Sequence, residues 1–105
     1  MMGFEFKRED DFHNLHPNIA SYMERFVNHR LDAFERFSHS VAIKDFKSIR
    51  DYCHGQLGVA GSYRCFQLEE LILYIQDFAR NEDITPIEEV LPIFKAYLEN
   101  LKTKV

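Results

Sequence analysis

Apolar residues recur every three or four positions along most of this chain. One stretch keeps this spacing from Tyr22 to Val41, and three others keep it over 46–60, 68–79 and 90–101. The spacing matches the 3.6-residue turn of an α-helix and places the apolar side chains on one face. Alternation with a period of two, which is typical of strands, is not sustained. The pattern therefore predicts four amphipathic helices, each with a face that must be buried against a partner.

Short polar segments separate the predicted helices. Asp45 is a candidate N-cap for the second main helix, and the polar residues 81–83 end the third. The sequence Thr-Pro-Ile-Glu at 85–88 resembles a capping box with proline at the first helical position. Pro92 predicts a kink or a delayed start in the last helix. Because short connections favour antiparallel neighbours, we expect an all-α, antiparallel four-helix bundle.

The length of 105 residues indicates one domain. We expect the bundle to span about residues 18–102 and residues 4–16 to form an N-terminal arm or a short additional helix. Apolar residues make up 46% of the chain and include ten Phe, which favours a well-filled core. The prediction is therefore a single helical domain over residues 1–105.

Charge and cysteine content restrict the partners. The formal net charge of -4 argues against nucleic acid as the main ligand. No apolar run is long enough to span a bilayer, and the first three residues lead directly into charged residues rather than into a signal peptide. Cys53 and Cys65 lack metal-ligand spacing, which is typical of buried thiols in a reducing compartment. We therefore expect a cytoplasmic protein that binds neither nucleic acid nor membranes.

The segment from Cys53 to Tyr63 holds the main candidate chemistry. His54 lies at the edge of the apolar face of the second main helix, and Gly55, Gly58 and Gly61 follow it. A glycine inside a helix costs about 1 kcal/mol relative to alanine, so three in seven residues indicate a further constraint. Two explanations stay open: close packing of a neighbouring helix, or an imidazole that must remain unobstructed.

The sequence HGQLGVAGSY at 54–63 resembles the signature of histidine-containing phosphotransfer (HPt) domains. In that family the fourth residue after the histidine is glycine, as Gly58 is here, and Ala-Gly-Ser often follows, as at 60–62. The resemblance covers roughly residues 19–101. It implies that His54 carries a phosphoryl group, within an antiparallel four-helix bundle that has an additional N-terminal helix. The family's apolar helix positions coincide with Leu68, Leu71 and Ile75.

The resemblance implies a phosphorelay intermediate that exchanges a phosphoryl group with the aspartate of a response-regulator receiver domain. Its partners would be such a receiver, a hybrid sensor histidine kinase, or both, and the protein would be a monomer. The chain lacks a glycine-rich nucleotide loop and an acidic metal pocket. It is therefore expected to be a phosphocarrier and not an enzyme with its own kinase activity. It would bind no cofactor, because Mg²⁺ would belong to the receiver.

One position departs from the family pattern. Leu57 occupies the place where the family usually has Lys or Arg, three residues after the histidine. Arg50, one turn before His54, is the first candidate for the missing charge, and Lys47 and Arg64 are others. Gln76 on the following helix is a candidate for orienting the imidazole ring through one nitrogen while the other reacts.

Two other classes of function stay open. A degenerate HPt-like bundle would act as a protein-interaction module without phosphotransfer. A metal- or cofactor-binding bundle would need His or Glu pairs that converge from facing helices. His13 and His16 are three residues apart, but no carboxylate–histidine pattern accompanies them, so the sequence favours solvated histidines there.

Overall fold

The computed structural model describes residues 3–105, and its regular elements are helices. A 3₁₀ turn at Phe12–Asn14 precedes a short helix, and four long helices follow; none of the helices in this part of the chain is long and apolar enough to cross a bilayer. These elements confirm the predicted all-α, antiparallel four-helix bundle with a short additional N-terminal helix. The α-helices are α1 (Pro17–Ala20), α2 (Met23–Ala42), α3 (Phe46–Ser62), α4 (Phe66–Arg80) and α5 (Ile84–Thr103).

The four long helices close a ring around one core. Helix α2 packs against α3 and α5, and α4 packs against the same two helices. Each long helix contributes side chains with no accessible surface, including Val27, Cys53, Ile72 and Phe94. Full burial of one large apolar side chain contributes roughly 1.5–3 kcal/mol, so the matching of these apolar faces drives the assembly.

The three connections between long helices share one geometry. Lys44, Arg64 and Glu82 have positive φ angles of 55°, 55° and 51°. The amide that follows each of them donates to a carbonyl five residues earlier, as from Asp45 to Ser40 at 2.9 Å. This is the Schellman arrangement, which ends a helix within a few residues. Each connection therefore reverses the chain and makes consecutive helices antiparallel.

Helix starts agree with the sequence in one case and differ in another. The Asp45 carboxylate accepts a hydrogen bond from the Ser48 amide at 3.2 Å, which confirms the predicted N-cap of α3. The predicted capping box at 85–88 is wrong, because α5 begins at Ile84 and Asp83 is its N-cap residue. Helix α5 also passes through Pro92 without a delayed start, since buried side chains on both sides of the proline hold it in the core.

Residues 3–11 form an arm without regular secondary structure that crosses the start of α4. Asp10 accepts a hydrogen bond from the Gln67 amide at 2.8 Å and another from the Tyr97 hydroxyl at 2.6 Å. It thus caps α4 from outside the helix. Asp11 pairs with Arg64, and the hydrogen bond from this guanidinium lowers the pKa of the Asp11 carboxyl. The arm therefore holds the turn between α3 and α4.

Replacing Lys44 with glycine should stabilise the protein. In the left-handed conformation the Cβ of Lys44 lies too close to a backbone carbonyl oxygen, and glycine, which has no Cβ, avoids this steric cost. Glycine also gives the unfolded chain more freedom, so the expected net gain is about 0.5–1 kcal/mol. Urea denaturation at pH 7 measures the free energy of unfolding.

Lys95→Gly is the matched control, because Lys95 is exposed inside α5. That variant should lose about 1 kcal/mol. A Lys44→Gly variant that is less stable than the parent would show that the steric cost of the positive φ is smaller than the freedom that glycine adds to the unfolded chain.

Candidate functional site

The rotation of α3 about its own axis determines which of its residues face outward. Ile49, Cys53 and Ala60 have no accessible surface, so the side of α3 that carries them faces the core. His54 follows Cys53, and a step of about 100° turns its side chain out of the core. The imidazole is exposed. His54 is therefore available to a molecule outside the bundle.

Two contacts fix the register between α3 and α4. Near one end of α3, Arg50 Nη1 donates to the Ala79 carbonyl at 3.5 Å. Near the other end, a Cβ built on Gly61 would lie 3.3 Å from Glu69 Oε2. His54 precedes Gly61 by two helical turns, and Gln76 follows Glu69 by the same distance. Since the helices are antiparallel, Gln76 lies at about the level of His54, on the side of α4 that faces it.

The glycines around His54 are not explained by close helix packing. A Cβ built on Gly55 or Gly58 would meet no atom of another segment within 4 Å. Neither glycine has a positive φ, so no backbone conformation requires them. Gly61 differs, because its added Cβ would contact the Glu69 carboxylate. Of the two explanations for the glycines, open space beside the imidazole is the one that fits Gly55 and Gly58.

Leu57 is partly buried and packs against the hydrophobic core. Its position on α3 is turned toward α4, between the buried face and the exposed side that carries His54. A leucine at this position adds apolar contact to the α3–α4 interface, whereas a lysine would have to extend its ammonium out past α4. Leu57 therefore has a structural role.

The three cations suggested by the sequence each have another partner. Arg50 contacts the Ala79 carbonyl and lies 3.8 Å from Glu82 Oε2, at the end of α4. The other two also form ion pairs. Lys47 pairs with Asp51 on the same helix, and Arg64 pairs with Asp11 of the arm. None of the three donates a hydrogen bond to His54.

Arg80 is the cation that the sequence reasoning missed. Its Nη2 donates to Gln76 Oε1 at 3.3 Å, and its Nη1 lies 3.6 Å from Asp77 Oδ1. The guanidinium thus reaches back one turn along α4, toward the level of His54. Its side chain is 63% exposed. The signal in the sequence was the four-residue spacing between Gln76 and Arg80, which puts the two side chains side by side on one helix.

The cysteines do not compete with His54 as nucleophiles. Cys53 and Cys65 have no accessible surface, and burial raises the pKa of each thiol to about 12. Both thiols are therefore protonated near neutral pH, and thiols react as thiolates.

The remaining histidines show no sign of a metal centre. His16 Nδ1 accepts a hydrogen bond from the Asn18 amide at 3.1 Å and so caps α1. The ring of His13 lies against Phe12, with 4.4 Å between ring centroids. Across residues 3–105, no group of three or more His, Cys, Asp or Glu side chains could hold a metal ion.

Comparison with protein-family models, with curated proteins and with solved structures found no match to the chain. The chemistry of the site is that of an exposed nitrogen nucleophile. Its flanks at Gly55 and Gly58 are open, and an amide and a guanidinium lie on the neighbouring helix. Such a nucleophile can accept a group from a donor as large as another protein.

If these glycines keep space open beside His54 and do not pack against another helix, Gly58→Ala should stabilise the fold. The new methyl group meets nothing, and alanine is better than glycine in a helix by about 1 kcal/mol. Gly55→Ala should behave in the same way. The midpoint and slope of urea denaturation give the change in the free energy of unfolding.

Gly61→Ala serves as the comparison, because its methyl group must displace the Glu69 carboxylate and the gain should be smaller. Loss of stability in Gly58→Ala would indicate a packing role for that glycine.

Proposed function

We propose that this protein is a phosphorelay intermediate, which accepts a phosphoryl group on His54 and exchanges it with the aspartate of a receiver domain. The observation that carries this proposal is the exposed imidazole with open space at Gly55 and Gly58. The helical bundle fits the fold that the HPt resemblance implies. Arg64 gives further support, because it has a positive φ at a position where that family commonly has glycine.

The transfer step needs only one nucleophilic nitrogen from this chain. The lone pair of His54 Nε2 attacks the phosphorus of the aspartyl phosphate and forms the N–P bond. The bond from phosphorus to the aspartate oxygen breaks, and the aspartate leaves as a carboxylate. The ring keeps its proton on Nδ1 and becomes positively charged. Such transfers depend on in-line positioning and on neutralisation of the phosphoryl oxygens.

Gln76 would bind Nδ1 of the phosphorylated ring, and Arg80 would bind the phosphoryl group on Nε2. An amide oxygen has two lone pairs, so Gln76 Oε1 can accept from His54 Nδ1 while it also accepts from Arg80. This bond would select the tautomer in which Nε2 is free to react. The Arg80 guanidinium would pair with the phosphoryl oxygens and supply the charge that Leu57 does not. Mg²⁺ and the acidic pocket would come from the docked receiver.

Phosphorylation of His54 can be tested with a phosphorylated receiver domain and, separately, with phosphoramidate as a small donor. We expect a label on the wild-type protein that is stable to base and labile to acid, as a phosphorus–nitrogen bond is. The label should be absent from His54→Gln. It should persist in His39→Gln, which removes another exposed imidazole.

An unlabelled wild type with several active receivers would favour the interaction module. Binding of those receivers without transfer would identify the degenerate form of the bundle. Label on another histidine would contradict the assignment of His54.

Arg80→Ala should slow transfer from the receiver by about tenfold or more, because a hydrogen bond to a charged group contributes about 1.5–3 kcal/mol. Arg80→Lys should recover part of the rate. Gln76→Leu should slow transfer and also shift its pH dependence, because Nδ1 would lose its acceptor. Rapid-quench measurement of the first-order transfer rate at saturating receiver gives both effects.

Arg50→Ala is the matched comparison, since it removes one arginine from α3 at the same end of the groove between α3 and α4. Its contacts with Ala79 and Glu82 predict a smaller effect on transfer than that of Arg80→Ala. The reverse order would assign the charge to Arg50, and equal rates for all variants would leave neither arginine with this role.

A further inference from the structure

The arginines of the described chain divide into two groups. Four form ion pairs with carboxylates: Arg8, Arg50, Arg64 and Arg80. The three on α2 form none with any carboxylate of residues 3–105, and they are Arg25, Arg30 and Arg36. The protein has a net charge of -4, so these cations do not lack carboxylates for want of acidic residues. Helix α2 also carries Glu24, Asp32 and Glu35, so the absence of ion pairs does not come from a lack of acidic residues on the same helix.

These cations border the groove between α2 and α3. Arg25, His29 and Arg36 are four and seven residues apart and so share one face of α2, on which Asp32 is the carboxylate that lies among them. A depression of about 270 Å³ in this groove has walls that include Arg25, His29 and Arg30 from α2, and Val59 and Tyr63 from α3. We call this surface the basic groove, and its cations are Arg25, His29, Arg30 and Arg36.

The basic groove extends to the site on α3. Phe37 stacks on Tyr52 of α3 with 4.4 Å between ring centroids, which sets Arg36 at that level. Gly55 lies three residues after Tyr52 and four before Val59, so it is on the same side of α3. No atom of another segment would lie within 4 Å of a Cβ at Gly55. The α3 side of the groove is therefore unobstructed at Gly55, the residue that follows His54.

The composition of the basic groove suits a protein surface. Tyr22, 51% exposed, lies at its end with the Arg25 guanidinium 5.6 Å from its ring centroid. Tyrosine and arginine are enriched at the centres of protein interfaces. Arg30 packs over Phe26 at 5.2 Å and donates to Gln56, while its Nε has no partner, and burial lowers the pKa of this guanidinium. Nearby carboxylates of a partner would offset that cost.

The net charge selects among anionic partners. A polyanion such as nucleic acid, or an anionic membrane, meets the field of the whole molecule, which is negative. A protein whose acidic residues form a local patch can place that patch on the groove, and the rest of its surface is not repelled by the acidic residues elsewhere on the bundle. Charge complementarity therefore favours an acidic protein surface.

We infer that the basic groove is the docking surface for the acidic face of a receiver domain, and that it steers this face onto His54. The inference rests on the proposed phosphotransfer function. It assigns partner recognition to α2 and leaves the chemistry of transfer to His54 and α4.

The test compares two double variants with the same change of charge, Arg25→Glu with Arg36→Glu and Lys95→Glu with Lys104→Glu. All four side chains are exposed, and the two lysines lie on or just after α5. The probe is a panel of phosphorylated receiver domains at about 0.01 M and at about 0.5 M salt, between which the Debye length falls from roughly 30 Å to below 10 Å. The readouts are the second-order rate of transfer and the labelling of His54 by phosphoramidate.

We expect the arginine double variant to lose about tenfold or more of the transfer rate at low salt, and much of its salt dependence. Its labelling by phosphoramidate should be unchanged, since that donor needs no docking. The lysine double variant should transfer at nearly the wild-type rate. Equal losses in both double variants, or a wild-type rate that does not respond to salt, would overturn the inference.

Docking can be judged even if phosphoramidate and the receivers leave His54 unlabelled, which would refute the proposed function. In that case ¹⁵N-amide shifts are recorded while the same receivers are added to the wild-type protein. Shifts along α2 and the adjoining side of α3 would support the basic groove, and shifts elsewhere or none would overturn it. Tighter binding to oligo-dT or to phosphatidylserine vesicles than to every receiver would also overturn an acidic protein partner.

Discussion

The burial of Ile49, Cys53 and Ala60 fixes the rotation of α3, and the rest of the site depends on this constraint. With these three side chains in the core, each other residue of the helix has a determined direction. His54 must face outward on the side of α4, and Gly55 must face the groove with α2. A rotation of α3 by one residue step would bury the imidazole and expose Cys53. Core packing thus positions His54 without any direct contact to its ring.

The alignment of α3 with α4 depends on residues far from His54. The turn between these helices has Arg64 in a left-handed conformation, and the arm holds it through Asp10 and Asp11. A helix cap of this kind contributes about 1 kcal/mol, a modest share of the stability of a small domain. Its effect on geometry is larger, because the start of α4 sets the register that carries Gln76 to the level of His54. The arm is therefore part of the support of the site.

The sequence predicted the features that depend on residues close together along the chain. The apolar period identified four long helices, and the carboxylate of Asp45 identified a start that depends only on neighbouring residues. It misplaced the start of α5, because Ile84 joins the first turn and the Thr-Pro-Ile-Glu pattern then lies inside the helix. The path of the arm could not be predicted from the sequence, because Asp10 forms its hydrogen bonds with Gln67 and Tyr97, which are far along the chain.

The site shows the same division between local and long-range information. His54 and its glycines were visible in the sequence, but two explanations for the glycines were equally consistent with it. The coordinates separate them, because only the surroundings of Gly55 and Gly58 show whether another helix approaches. The sequence did not indicate Arg80, because spacing within α3 cannot show which side chains of α4 face the same groove. Helix register is tertiary information, and no periodicity in one helix reveals which turn of its neighbour lies opposite.

Under the proposed function, an apolar residue at Leu57 and a guanidinium at Arg80 would form one physical arrangement. Leu57 adds apolar packing to the core, and the charge for a phosphoryl group would lie on a long side chain on the outside of α4. In the free protein Arg80 is held by Gln76 and Asp77 at an exposed position, where an ion pair contributes about 0–1 kcal/mol. Charge-assisted hydrogen bonds to a phosphoryl dianion are stronger, at about 1.5–3 kcal/mol. The guanidinium would therefore leave Asp77 when His54 is phosphorylated, and its weak attachment beforehand is what makes that change of partner favourable.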